Sequence, residues 1–163
     1  MSDSSESHGP TDNSQLAPDV LPFGRLLALD FGTKRVGLAV STPEQTISSP
    51  IETYTRRSPQ ADAEYFKSVI RNYGIVGIVV GLPKHISGEE GGKAREAREF
   101  GEWIRQITSL PLVYWDERYS SSIAEDYLLA AELTKKKRKA FIDQVAAQVF
   151  LQSYLERKKG NGS

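Results

Sequence analysis

The chain has 163 residues, 21 Lys and Arg balanced by 21 Asp and Glu, no Cys and only two His. That length suits one ordinary domain, and the missing Cys excludes a disulfide scaffold, a thiolate zinc site and a Cys nucleophile. With His8 in a polar stretch, a Ser-His-Asp triad has a single candidate base, which leaves carboxylates and oxygen-preferring metal ions as the accessible chemistry.

Residues 1–24 read as a disordered acidic N-terminal tail, with too little apolar surface to offset the entropy of ordering it. The tail carries Asp3, Glu6, Asp12 and Asp19 and no Lys or Arg, and lacks the features of a signal or transit peptide. No stretch approaches the length of a membrane span, so the expectation is a cytoplasmic protein without a membrane partner. Beyond the tail 21 basic residues face 17 acidic ones, a mild bias toward an anionic partner. The basic residues cluster at Lys135-Lys136-Lys137-Arg138-Lys139 and at Arg157-Lys158-Lys159.

Leu26–Leu29, ending in Asp30, and Val36–Val40 read as strands joined by a hairpin turn at Gly32-Thr33-Lys34-Arg35. Ile51–Thr55 is a third strand. Ser58-Pro59 then caps a helix that Gly74 stops. Ile75–Val80 is a continuous apolar strand ended by Gly81-Leu82-Pro83. A Gly-rich loop leads into a helix over about Lys93–Thr108, then a fifth strand, Leu112–Trp115, followed by Asp116-Glu117-Arg118. Ser120–Ser122 cap a helix to about Leu133, and a last helix spans about Ala140–Lys158. Short links among the first three strands favour antiparallel pairing, and the later strand–helix–strand units need parallel crossovers. The fold class is therefore α/β: a mixed five-stranded sheet, three antiparallel then two parallel strands, flanked by helices. One domain is expected over residues 25–158, with a flexible C-terminus at 159–163.

Three carboxylates stand out. Asp30 ends a strand of the type buried in a sheet centre, although an Asp there can simply turn the chain into Gly32. Asp116-Glu117 repeats the pattern after the fifth strand, where two solvated acids are an equal reading. Asp143 shares a helix face with Ala147, Phe150 and Tyr154, while Gln144, Gln148 and Gln152 line another. An ionised carboxylate in such a stripe is expensive unless compensated; the competing reading is an N-cap of a helix starting one residue later. All three acids can meet at the carboxyl ends of the central strands, where open α/β sheets bind ligands. Like charges about 4 Å apart repel by roughly 4 kcal/mol at an effective dielectric near 20. A divalent cation resolves the conflict, and the oxygen donors suit Mg²⁺ or Mn²⁺, two ions activating a water and stabilising a leaving oxygen. The constellation reads as a nuclease.

Four stretches carry a resemblance: Asp30-Phe31-Gly32-Thr33-Lys34-Arg35-Val36-Gly37, Val80-Gly81-Leu82-Pro83, Asp116-Glu117-Arg118-Tyr119-Ser120-Ser121 and Ile142-Asp143-Gln144-Val145-Ala146-Ala147. In this order and spacing they resemble the YqgF/RuvX family of RNase H-like proteins, from Arg25 to Tyr154. Tyr119-Ser120-Ser121 stands where many relatives have Leu-Thr-Thr, with the hydroxyls kept. The resemblance implies an RNase H-like fold and a metal-dependent nuclease that matures the 5′ end of the small-subunit (16S) ribosomal RNA precursor. An older reading of the family is Holliday-junction resolution, and a non-catalytic nucleic-acid-binding module is a third. Carried over, the acidic site falls on Asp30, Glu117 and Asp143, both catalytic and metal-holding.

Lys34, Arg35 and Arg118 are candidates for holding substrate phosphates; each could instead be a solvated charge or pair with the acids. The 135–139 cluster could contact a nucleic-acid backbone or be a solvated interhelical loop. His85 and the acidic Gly88–Gly92 stretch read as exposed loop. Asp30-Phe31-Gly32-Thr33 also resembles the phosphate-binding hairpin of actin-like ATPases, but those hold nucleotide between two such domains and this chain has one. The expected partner is structured RNA or branched DNA, bound by a monomer or homodimer.

Overall fold

The computed structural model describes residues 21–83, 91–117 and 120–162. Its elements are β1 (Arg25–Asp30), β2 (Arg35–Ser41), β3 (Ser48–Thr55), α1 (Pro59–Tyr73), β4 (Ile75–Leu82), α2 (Gly92–Thr108), β5 (Leu112–Asp116), α3 (Ser120–Ala130) and α4 (Lys135–Gly162). The strands lie in the order β3-β2-β1-β4-β5. β1 and β3 each pair antiparallel with β2, while β4 runs parallel to both β1 and β5. This is the mixed sheet expected of an RNase H-like fold. No described helix is long and apolar enough to cross a membrane.

Side chains alternate across the sheet and meet different helices on its two faces. Leu27, Leu29, Leu38, Ile78 and Val80 pack with Phe66 of α1 and with Phe100 and Ile104 of α2. Leu26, Ala28, Ala39, Val79 and Val113 pack with Ala147, Phe150, Leu151 and Tyr154 of α4. Burying each of the larger side chains contributes roughly 1.5–3 kcal/mol. α3 rests on the outer side of α4 through Ala124, Leu128, Val145 and Ala146. The expected stripe from Asp143 to Tyr154 does face the sheet, and the Gln stripe docks on β3. Gln152 Oε1 accepts from Ser48 N at 2.8 Å, and Thr53 Oγ1 donates to Gln144 Oε1 at 3.2 Å.

Ser58 caps α1 by accepting from Ala61 N, and Gly74 closes it in the left-handed region (φ 65°). Several boundaries move. Leu21, ahead of β1, is buried among the α4-facing residues. β3 starts at Ser48 and β4 continues through Gly81 to Leu82. α3 stops at Ala130, and Glu132 (φ 58°) turns the chain. α4 then starts at Lys135 because Thr134 caps it, its Oγ1 accepting from Lys137 N at 3.2 Å. The basic cluster is thus the first turns of α4 rather than an interhelical loop, and Asp143 lies well inside a helix instead of capping one.

Small residues on β1 and β2 bring α4 close. At Gly37, opposite Asp30 in the ladder, an added Cβ would fall on the Asp143 carbonyl. That obstacle is backbone, which cannot swing aside. Gly37→Ala should therefore cost about 1–3 kcal/mol by overpacking, read as a lower urea midpoint with unchanged slope.

Candidate active site

The alternation that builds the core also builds the site. Asp30 follows Leu26 and Ala28 on the α4-facing side of β1. Glu117 follows Val113 and Trp115 on the same side of β5, one residue past the strand, where its N–H donates to Leu82 O at 3.1 Å. β4 lies between them, and its residue at this level is Gly81. A Cβ there would meet Glu117 Oε2 and the Phe150 ring, so only glycine lets the Glu117 side chain reach back across β4 toward Asp30. Asp143 closes the arrangement from α4. The three acids line one cavity of about 480 Å³ with Lys34, Arg35 and Lys93.

Asp30 is buried and Glu117 half-buried. Burial, then the charges of Glu117 and Asp143, push the Asp30 carboxyl well above its ordinary range. Burial also raises Glu117, with Asp116 and Asp143 adding and the hydrogen bond with Asp30 and the Lys93 ammonium opposing, to about 7. The contact between the two carboxyls raises Asp30 and opposes the rise of Glu117, so Asp30 is the harder of the two to ionise. Asp143, a quarter exposed, turns to the rim, where its Oδ2 accepts from Arg35 Nε at 3.2 Å. As the side chains stand, no three acids or imidazoles among the described residues are gathered tightly enough to hold an ion. Two crowded acids at the sheet end, and a third paired with an arginine at the rim, form an oxygen-only donor set. That chemistry fits a divalent ion of the magnesium type.

Of the residues singled out from sequence, Asp30, Lys34, Arg35, Glu117 and Asp143 share the cavity. Asp116 is exposed at the end of β5 and is not among the lining residues. Arg118 and His85 lie outside the described residues. Sequence reasoning missed Lys93 and Glu96, which reach the cavity from the first turns of α2. Their i,i+3 spacing directly after a Gly-rich loop was the available signal.

The profile of the RuvX family, whose description reads "Holliday junction resolvase", matches residues 24–157. A relative from Rhodopirellula baltica, named "Putative pre-16S rRNA nuclease", is 39% identical over 153 residues, covering 94% of this chain and 88% of that one. A relative of the same name from Koribacter versatilis is 42% identical over 135 residues, covering 83% and 88%. Among solved structures, Thermus thermophilus RuvC in complex with a Holliday junction substrate superposes with a TM-score of 0.53 at 13% identity, covering 83% of this chain and 96% of that one. Fowlpox virus resolvase with Holliday junction DNA gives 0.54 at 12% identity, covering 82% and 98%. At such identities the two structures share the fold alone. Profile match and sequence identity, each spanning most of the chain, agree with the motif order and with the sheet: the chain belongs to the RuvX family.

Proposed function

We propose that this protein is a hydrolase acting on nucleic acids: a cytoplasmic, metal-dependent nuclease that cleaves phosphodiesters in the 16S ribosomal RNA precursor and matures its 5′ end. The observation that carries this reading is the meeting of Asp30 and Glu117 across Gly81, beneath Asp143, in a cavity rimmed by Lys34, Arg35 and Lys93. The names of the relatives supply the RNA substrate. The description of the family profile favours a second substrate, a four-way DNA junction.

Asp30, Glu117 and Asp143 are the residues that would hold Mg²⁺ or Mn²⁺, two ions in this reading. Such ions supply an activated water and charge stabilisation at the leaving oxygen. The chain's own residues do the rest. Asp30 and Glu117 would hold the ion as ionised carboxylates, and Asp143 would complete the donor set from α4. Arg35, at the mouth of the cavity beside Asp143, would donate to a phosphate oxygen of the bound strand, and Lys34 and Lys93 would hold the flanking backbone through charge. Arg118 is assigned the same role from its place beside Glu117.

Asp30→Asn is expected to lower cleavage of a precursor-rRNA 5′ fragment at least about a thousandfold, on the scale of losing an essential electrostatic group. It should do so without lowering the metal-free melting temperature, because the amide removes a buried acid that burial and its neighbours oppose. Parallel assays on the RNA fragment and on a four-way junction, in Mg²⁺ and in EDTA, identify the substrate. Normal turnover by the variant on the substrate that the wild type cleaves would overturn the assignment.

The raised carboxyls set the pH dependence. A folded-state pKa above the unfolded value means that the metal-free fold binds the extra proton. This contribution to stability is present below about pH 4.5 and is lost as pH rises through about 7. Ion binding runs the other way, since the ion displaces that proton. Mg²⁺ affinity measured by calorimetry should rise with pH between 5.5 and 7, by about tenfold per unit for one displaced proton. Paired buffers of different ionisation enthalpy should register the proton released. Affinity that stays flat over this range would mean that the acids are ionised before the ion arrives.

A further inference from the structure

The cavity over the acids has a neighbour. A shallower depression of about 320 Å³ opens beside it, and Phe31 and Glu96 line both. Its remaining walls include Arg56, Glu99, Phe100 and Trp103. The rings run outward from the edge of the acid site: Phe31 and Phe100 have centroids 4.9 Å apart, and Phe100 and Trp103 6.0 Å. The Arg56 guanidinium lies over both Phe rings, at 5.7 and 5.4 Å.

Arg56 is held from behind. Its Nε donates to Asp62 Oδ2 at 3.2 Å, and Asp62 is buried and also accepts from the Tyr54 hydroxyl at 2.7 Å and Arg57 N at 2.9 Å. Burial alone would raise the Asp62 carboxyl, but these donors together hold it below its usual range, so it stays charged and pins the guanidinium. One donor of Arg56 is used; its Nη groups have no hydrogen-bond acceptor among the described residues. Glu96 and Glu99, one turn apart on α2, are exposed and have no donor among the described residues.

A fixed cation, two free carboxylates and a series of rings select a ligand. A phosphate would gain from Arg56 and be repelled by both glutamates. An apolar side chain would give no partner to either carboxylate or to the Arg56 Nη groups. A guanine satisfies each part: O6 and N7 accept from a guanidinium, N1–H and the N2 amino group donate to a carboxylate, and its face stacks on aromatic rings. Those donors are engaged in a duplex, so only an unpaired base offers them. We propose, building on the nuclease reading, that this depression binds an unpaired guanine of the substrate strand beside the phosphate to be cleaved. It would thereby place the cut next to a single-stranded guanine.

The test is a binding measurement in EDTA, where no cleavage occurs. The chain has two Trp, so Trp115→Phe leaves Trp103 as the sole indole reporter. The probes are a single-stranded oligouridylate hexamer carrying one central guanine and the same hexamer with an abasic site at that position. The guanine hexamer should quench Trp103 and bind at least about fivefold tighter than the abasic one, the low end of what one bidentate base contact gives. Glu99→Gln, an exposed helix position outside the acid cavity, should erase most of that preference while leaving the melting temperature and the abasic affinity unchanged. Arg56→Gln should do the same where it folds. Equal affinity for the two hexamers, or a preference untouched by Glu99→Gln, would overturn the subsite. An enzyme that cleaves yet shows no guanine preference would lose this inference and keep its nuclease assignment. A protein that prefers the guanine hexamer yet cleaves nothing would keep the subsite and lose the nuclease.

Discussion

Crowding of negative charge at the carboxyl ends of β1 and β5 is the constraint around which the α4 side of the molecule is arranged. Asp30 is buried and Glu117 half-buried, and both carboxyls are raised by burial and by their acidic neighbours. Nothing in folding favours such a pair, so the surroundings must impose it. They do so by omission. Gly81 removes the side chain that would separate Glu117 from Asp30, and Gly37 removes the one that would lift α4 and Asp143 away. Ala28, Ala39 and Ala147 extend the same small-residue contact along the helix. The Gln144–Gln148–Gln152 stripe fixes its rotation against β3 through polar bonds that apolar packing would not specify.

The two faces of the sheet divide the labour. The α1 and α2 side carries the large interlocked rings, Phe66, Phe100 and Trp103, and buries most of the bulky aliphatic residues of the strands. Cores of this kind are close-packed and yield little. The α4 side tolerates a polar cavity because the opposite face supplies cohesion. Phe31 joins the two: it follows Asp30 directly, points to the other face by alternation, and packs there against Phe100 with its ring tilted.

Much of this was legible in the sequence, and the failures have physical causes. Five strands, four helices and the mixed pairing followed from apolar runs, link lengths and the Ser58–Pro59 and Gly74 signals. Asp30, the Asp116-Glu117 pair and Asp143 stood out because an acid at the end of a buried strand or inside an apolar helical stripe conflicts with burial, and the family resemblance selected Glu117 from the pair. The start of α4 was misplaced because five consecutive basic residues look like solvated loop, whereas Lys and Arg are good helix formers once Thr134 caps the turn. Gly81 read as a strand terminator, and its true role, an empty place for the side chain of Glu117 on β5, is tertiary. Lys93 and Glu96 belong to the cavity because the crossover brings the N-terminus of α2 over the end of β1; their i,i+3 spacing marks only a shared helix face, not what that face meets.

The Arg35–Asp143 pair shows how the site balances its charge without an ion. Arg35 begins β2 on the far side of the Asp30 turn, and its guanidinium meets the acid that α4 presents at the rim. An exposed pair of this kind contributes little stability, about 0–1 kcal/mol, so the geometry is not there to hold the fold together. Its position is what matters: it pairs with the outermost of three acids and leaves the inner two facing each other. A cation among the acids would make Arg35 redundant to Asp143 and leave a planar donor fork at the mouth of the cavity, facing whatever anion approaches. The weakness of the pair suits the proposed function, because an arginine bound tightly to Asp143 would block both the ion and the phosphate of that proposal.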